Sequence, residues 1–160
     1  RDISDEEVQE WNRSMQRNFR CIKQQLEELQ LFCSDQPASL STQDAETAIA
    51  EIAEANPEIS LRYSGPSQQV TTDWRKLSIA IKNLSDYVNT AVVQEEDRTA
   101  TVSCAKNSDD KIVFQIKAGA ADEERPEFEN RGLQDALLKQ VTSLLGATVE
   151  KNEREATLIL

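Results

Sequence analysis

The stretch DWRKLSIAIKNLSDYVNTAV, residues 73–92, decides the fold. Trp74, Leu77, Ile81, Leu84, Val88 and Ala91 recur at steps of three and four, so they line one face of a long amphipathic helix, with Thr72 as its expected cap. On both sides of this helix the apolar period changes from 3.6 to two. Ile59, Leu61 and Tyr63 alternate with Ser60 and Arg62 in a half-buried strand that Gly65-Pro66 ends, and Val70 and Thr71 form a short second strand. Residues 100–106 and 111–117 alternate in the same way and are joined by Asn107-Ser108-Asp109-Asp110, a turn by composition. A polar loop over 119–130 leads to a helix over 132–145 with Gly146 as its C-terminal cap. Residues 147–151 and 156–160 read as a last hairpin around Asn152-Glu153.

Working toward the N-terminus, Ser4 and Glu7 form a capping box that starts a helix reaching to about residue 34. Val8, Trp11, Met15, Phe19, Ile22, Leu26, Leu29 and Cys33 make its apolar stripe. A stripe sustained over so long a helix has the look of a helical hairpin or a dimer seam; its plain alternative is a single long helix packed on its own domain. After a loop over 35–39, Ser41 with Asp44 signals a second cap, and an alanine-rich helix over 43–55 stops at Asn56-Pro57, because proline disfavours helix in the residue before it. Its stripe of Ala45, Ala48, Ile49, Ile52 and Ala53 is expected to pack against the first helix. The expected architecture is α+β: an antiparallel helical hairpin over 1–56, then a small two-layer α/β sandwich with a mixed sheet over 57–160.

Composition narrows the function. Eighteen Lys plus Arg against 29 Asp plus Glu give a net charge of −11, which repels nucleic acid and anionic membrane alike. Cys21, Cys33 and Cys104 match no metal-ligand spacing, so reduced thiols in a cytoplasmic setting are expected. No apolar run approaches the roughly 18 residues that a membrane span needs. A chain that opens on Arg1 is expected to be a piece of a longer protein. Within this acidic chain Arg13, Arg17 and Arg20 form one local basic cluster, nearly on one helix face, suited to an acidic protein partner; its plain alternative is a solvated face paired with Glu10 or Asp5.

The order of elements resembles a histidine kinase: its dimerisation hairpin followed by its ATP-binding domain, in the fold shared with the gyrase and Hsp90 ATPases. Asp73, Leu77, Ile81, Asn83 and Leu84 stand at the spacing of the family's asparagine box. Arg131-Gly132-Leu133 with Val141, Leu144, Leu145 and Gly146 resembles its glycine-started hydrophobic helix. The catalytic pieces of the resemblance are missing. The family's Mg²⁺-coordinating asparagine, four positions after the equivalent of Asn83, is Tyr87 here, and a phenol does not replace an amide oxygen on a hard cation. The aspartate that would bond the adenine amino group is replaced in Lys117-Ala118-Gly119-Ala120-Ala121, where Ala118 has no acceptor. Gly132 alone is left to support a phosphate at a helix N-terminus. The plain readings are a solvent-facing or capping-type amide for Asn83, a loop-to-helix glycine for Gly132, and a solvated loop for Asp122, Glu123 and Glu124. The chain has no histidine to accept a phosphoryl group.

The resemblance thus implies a degenerate, pseudokinase-like or phosphotransferase-like signalling module with no cofactor and no metal. It would dimerise through Val8, Trp11, Met15, Phe19, Ile22, Leu26 and Leu29, and use Arg13, Arg17 and Arg20 on a response regulator or kinase-type partner. The competing readings are an ATP-dependent protein kinase of the anti-sigma-factor type with an atypical site, and a purely structural dimerisation domain.

Overall fold

The structure is a computed structural model that describes residues 2–33, 39–90, 99–119, 132–152 and 154–160, with the side chains of 28–33 and 132–134 outside the description. In chain order its elements are α1 (Asp5–Cys33), β1 (Ser41–Asp44), α2 (Ala45–Ala55), β2 (Leu61–Tyr63), β3 (Gln69–Thr72), α3 (Trp74–Asn89), β4 (Ala100–Lys106), β5 (Ile112–Lys117), α4 (Gly132–Leu145), β6 (Thr148–Lys151) and β7 (Glu155–Ile159). They fall into two compact units, Arg1–Pro37 and Ala38–Leu160.

The first unit is built on α1. The expected capping box is present: the Glu7 N–H donates to Ser4 Oγ at 3.2 Å and the Ser4 N–H donates to Glu7 Oε2 at 2.9 Å. Each bond satisfies a backbone donor that the helix itself leaves unpaired.

The second unit carries a two-stranded sheet, β1 with β3, and a five-stranded mixed sheet in the order β2-β4-β5-β7-β6. Only the β2–β4 pair is parallel. Register places Val102, Ile116 and Ala156 in one row across three strands and Cys104, Phe114 and Leu158 in the next, and all six are buried. The intervening residues, such as Thr101, Ser103, Gln115 and Thr157, occupy the opposite, more exposed face. One face is therefore apolar and packed, and α3 lies on it against β4, β5 and β7, with α2 beside β2 and α4 beside β6. Trp74 of α3 meets Phe114 of β5 edge to face, centroids 6.3 Å apart. This is the expected two-layer sandwich with a mixed sheet.

Several boundaries differ from the sequence reading. Where the sequence reading placed a division after residue 56, compactness divides the chain at Pro37/Ala38, and α2 buries Ala45, Ala48, Ile49 and Ile52 within the second unit, beside β2, β1 and α3. Ser41 does not cap α2. It is taken into β1, paired with Thr72, and Asp44 caps instead by accepting from the Thr47 N–H at 3.1 Å. The same pairing removes Thr72 as the cap of α3, a role that Asp73 fills. Strand pairing satisfies the backbone of residues 41–44 and 69–72 along their length, which outweighs one side-chain cap at either site. Gly146, at φ +65°, closes α4 as expected.

Candidate functional site

Asp73 anchors the helix that the resemblance singles out. Its carboxylate accepts from the Lys76 N–H at 3.4 Å and from the Ser39 N–H at 3.2 Å, and lies 3.2 Å from the Lys76 ammonium. Burial of this residue, 3% exposed, works to raise its pKa. The Ser39 and Lys76 contacts outweigh that, and the pKa is lowered from 3.8. At the other end of α3 the Asn89 side-chain N–H donates to Ser60 O at 3.1 Å, tying the helix to the start of β2.

Between these ends lie the residues of the expected cleft. Asn83 is buried, 6% exposed, which removes the solvent-facing form of the plain reading. The reason is the breadth of packing around α3, which is covered by the sheet and also flanked by α2 and α4, so that Ile79, Ala80, Asn83 and Ser85 join the buried set beyond the sequence stripe. Tyr87, one turn on, is half-buried. The face of its ring holds the Lys151 ammonium, with Nζ 4.6 Å from the ring centroid. Lys151 in turn lies 3.3 Å from Asp135 Oδ1 in the first turn of α4. Ala118 is a methyl group just past β5, and its backbone N–H donates to Arg154 O at 2.9 Å, which spends the one donor it has. Gly132 begins α4, and the segment 120–131, with Arg131 and the acidic run Asp122–Glu124, lies outside the described residues.

Position 87 offers a ring face in place of an amide oxygen, and position 118 offers no carboxylate. Among the described residues no group of three or more Cys, Asp or Glu side chains could hold a metal ion. A cavity of about 290 Å³ does open between α2 and α3, lined by Ala48, Glu51, Ile52, Trp74, Arg75 and Ser78 among others, but none of Asn83, Tyr87, Ala118 or Gly132 lines it. Sequence reasoning missed Lys151 and Asp135. Read alone they were a strand end and a helix position, and only the fold brings β6 and α4 to Tyr87.

The remaining candidates lie on α1. Val8, Trp11, Met15, Phe19, Ile22 and Leu26 are exposed, between 42% and 75%. Leu29 belongs to the undescribed side chains. Arg13, Arg17 and Arg20 are exposed too. At 100° per residue the arginine row is centred about 160° round the helix from the apolar stripe, so α1 presents two nearly opposite faces of different chemistry.

No protein-family model and no curated protein matches the sequence. Solved structures do match the fold. Over all of this chain and 86% of its own, the histidine kinase AdeS of Acinetobacter baumannii superposes with a TM-score of 0.67 at 12% identity. Full-length ShkA in complex with AMPPNP gives 0.62 at 14% identity, over 99% of this chain and 39% of that one. The blue-light activated histidine kinase EL346 of Erythrobacter litoralis gives 0.57 at 15%, over 92% and 55%. The chain therefore has a histidine-kinase-like α+β fold, and at such identities the likeness is one of fold. No described helix is long and apolar enough to cross a membrane.

Proposed function

We propose that the chain is a non-catalytic signalling module that keeps a histidine-kinase-like core and acts by protein contact, without binding ATP and without phosphorylation on histidine. The observation that carries this reading is the two-faced helix α1. A helix of 29 residues with six large apolar side chains exposed along one stripe is poorly stable in water by itself and gains by covering that stripe. A second copy of the chain supplies a matching stripe, which makes a homodimer the simplest cover. The arginine row then remains on the outer side, where it would meet the acidic surface of a response regulator or kinase-type partner. Tyr87 and Ala118 support the loss of nucleotide chemistry, since phosphoryl transfer depends on metal-bound, positioned phosphates.

Two measurements test the proposal. Light scattering should give twice the mass of the 18.0 kDa chain, and titration calorimetry with Mg²⁺-ATP should give no saturable heat. Saturable binding would overturn the reading in favour of an atypical ATP-dependent protein kinase. Reversing Arg13, Arg17 and Arg20 to Glu should weaken capture of the partner while leaving the dimer and the fold intact. Unchanged capture would favour a purely structural dimerisation domain.

A further inference from the structure

Tyr87, Lys151 and Asp135 belong to three elements, α3, β6 and α4, and meet at one corner of the second unit. Nothing in the sequence spacing joins them. We propose that Lys151 is a resident cation: its ammonium stands against position 87, where the histidine-kinase-like fold would present a metal ligand, and holds the α3–α4 corner together without metal or nucleotide. This inference rests on the non-catalytic reading above and adds to it a stated replacement for what was lost.

Three observations carry it. The Lys151 ammonium lies over the face of the Tyr87 ring, 4.6 Å from its centroid, the side on which the ring quadrupole is negative. The same nitrogen is 3.3 Å from Asp135 Oδ1, so its charge is matched by a carboxylate in the first turn of α4, the end of a helix at which negative charge is favoured. The Lys151 and Asp135 side chains keep 33% and 52% of their exposure, so the corner sits at the surface, where a free ion could otherwise reach it.

The chemistry of the corner is wrong for a divalent ion and right for an ammonium. Mg²⁺ demands six oxygen ligands in near-octahedral order, and a ring face supplies none. Asp135 is already neutralised, and any approaching dication meets the positive charge of Lys151 first. An ammonium tethered to β6 needs no free concentration to stay bound, which distinguishes it from a dissociable metal. Loss of nucleotide chemistry therefore need not loosen α4.

The test combines nuclear magnetic resonance with a double-mutant cycle on the full chain. Ring current from Tyr87 should shift the Lys151 Hε protons upfield. That shift should survive in Tyr87→Phe, which keeps the ring, and vanish in Tyr87→Leu. Tyr87→Leu and Lys151→Met should each lower the melting temperature, the double variant should lose less than their sum, and Lys151→Arg should restore most of the loss. The coupling should be about two- to five-fold in the unfolding equilibrium constant. Added Mn²⁺, alone or with AMPPNP, should leave the Lys151 signals in place.

Unshifted Lys151 protons or additive losses would overturn the resident cation. So would displacement of the Lys151 signals by Mn²⁺, which would make the corner a metal site. Absence of the coupling together with absence of AMPPNP binding would sink this inference alone. Saturable AMPPNP binding with the coupling intact would sink the non-catalytic reading alone.

Discussion

Removing the carboxylate of Asp73 is the sharpest perturbation of the helix on which the fold is built. Asp73→Ala deletes the acceptor at the start of α3, the acceptor for the Ser39 N–H and the partner of the Lys76 ammonium. Loss of an N-cap costs about 1 kcal/mol. Loss of the part-buried Ser39 bond costs about 1 kcal/mol more, reduced by water reaching the freed N–H. The ion pair, with side chains 18% and 5% exposed, contributes up to about 1 kcal/mol. Together these make a destabilisation of about 2–3 kcal/mol, measured by urea unfolding followed by circular dichroism at neutral pH. Asp73→Asn should cost about 1 kcal/mol, because asparagine caps as well as aspartate but carries no charge. The pH dependence is a second check. The folded pKa of Asp73 lies below 3.8, so its charge stabilises the fold fully above the unfolded value of about 3.9, and that contribution is lost as pH falls through the lower folded value. The gap between wild type and Asp73→Asn should therefore be full at pH 6 and shrink toward pH 2.5. A gap that stays constant over this range, or an Asp73→Ala cost under about 0.5 kcal/mol, would refute the reasoning.

Other consequences can be checked with simple variants. Burial pushes the Cys104 thiol up to about 11, while Cys21 is exposed, so peptide mapping after alkylation at pH 8 should find Cys21 modified before Cys104. Native Cys104 should react about a hundredfold more slowly than an ordinary thiol and catch up only on unfolding. Phe114→Ala empties the centre of the packed face and removes the ring beside Trp74, at a cost of about 3–5 kcal/mol in chemical denaturation. Gly146→Ala forces a side chain into φ +65° and should destabilise by about 1 kcal/mol, although no atom lies within 4 Å of the added Cβ. Asp110→Gly, at φ 61° in the β4–β5 turn, should be neutral or stabilising by up to about 1 kcal/mol, since its ion pair with Lys106 is solvent-exposed.

Local pattern was enough for most of the architecture. The stripe of α3, the alternation of β4 and β5, the closing hairpin and the glycine stop of α4 were all legible, because burial on one face of a period-two or period-3.6 element is written directly into residue order. Tyr87 and Ala118 were marked by the family resemblance, not by periodicity, as departures from its pattern. The capping box at Ser4 and Glu7 was equally local.

What escaped is what depends on non-local pairing. Ser41 and Thr72 have the chemistry of helix caps, yet each is the strand partner of the other, and a pairing partner 31 positions away cannot be read from either segment. Strand β1 in turn carried α2 into the second unit, which its alanine-rich stripe alone could not announce, since small residues suit helix and sheet neighbours equally. The burial of Asn83 was not legible because the exposure of a helix position depends on how many neighbours flank the helix, and α3 has the sheet, α2 and α4. Residue order thus determined most of the elements, the charge and the absence of histidine. Tertiary structure decided that Ser41 pairs with Thr72 and that an ammonium from β6 meets the Tyr87 ring, because contacts between distant segments exist only once the sheet has brought them together.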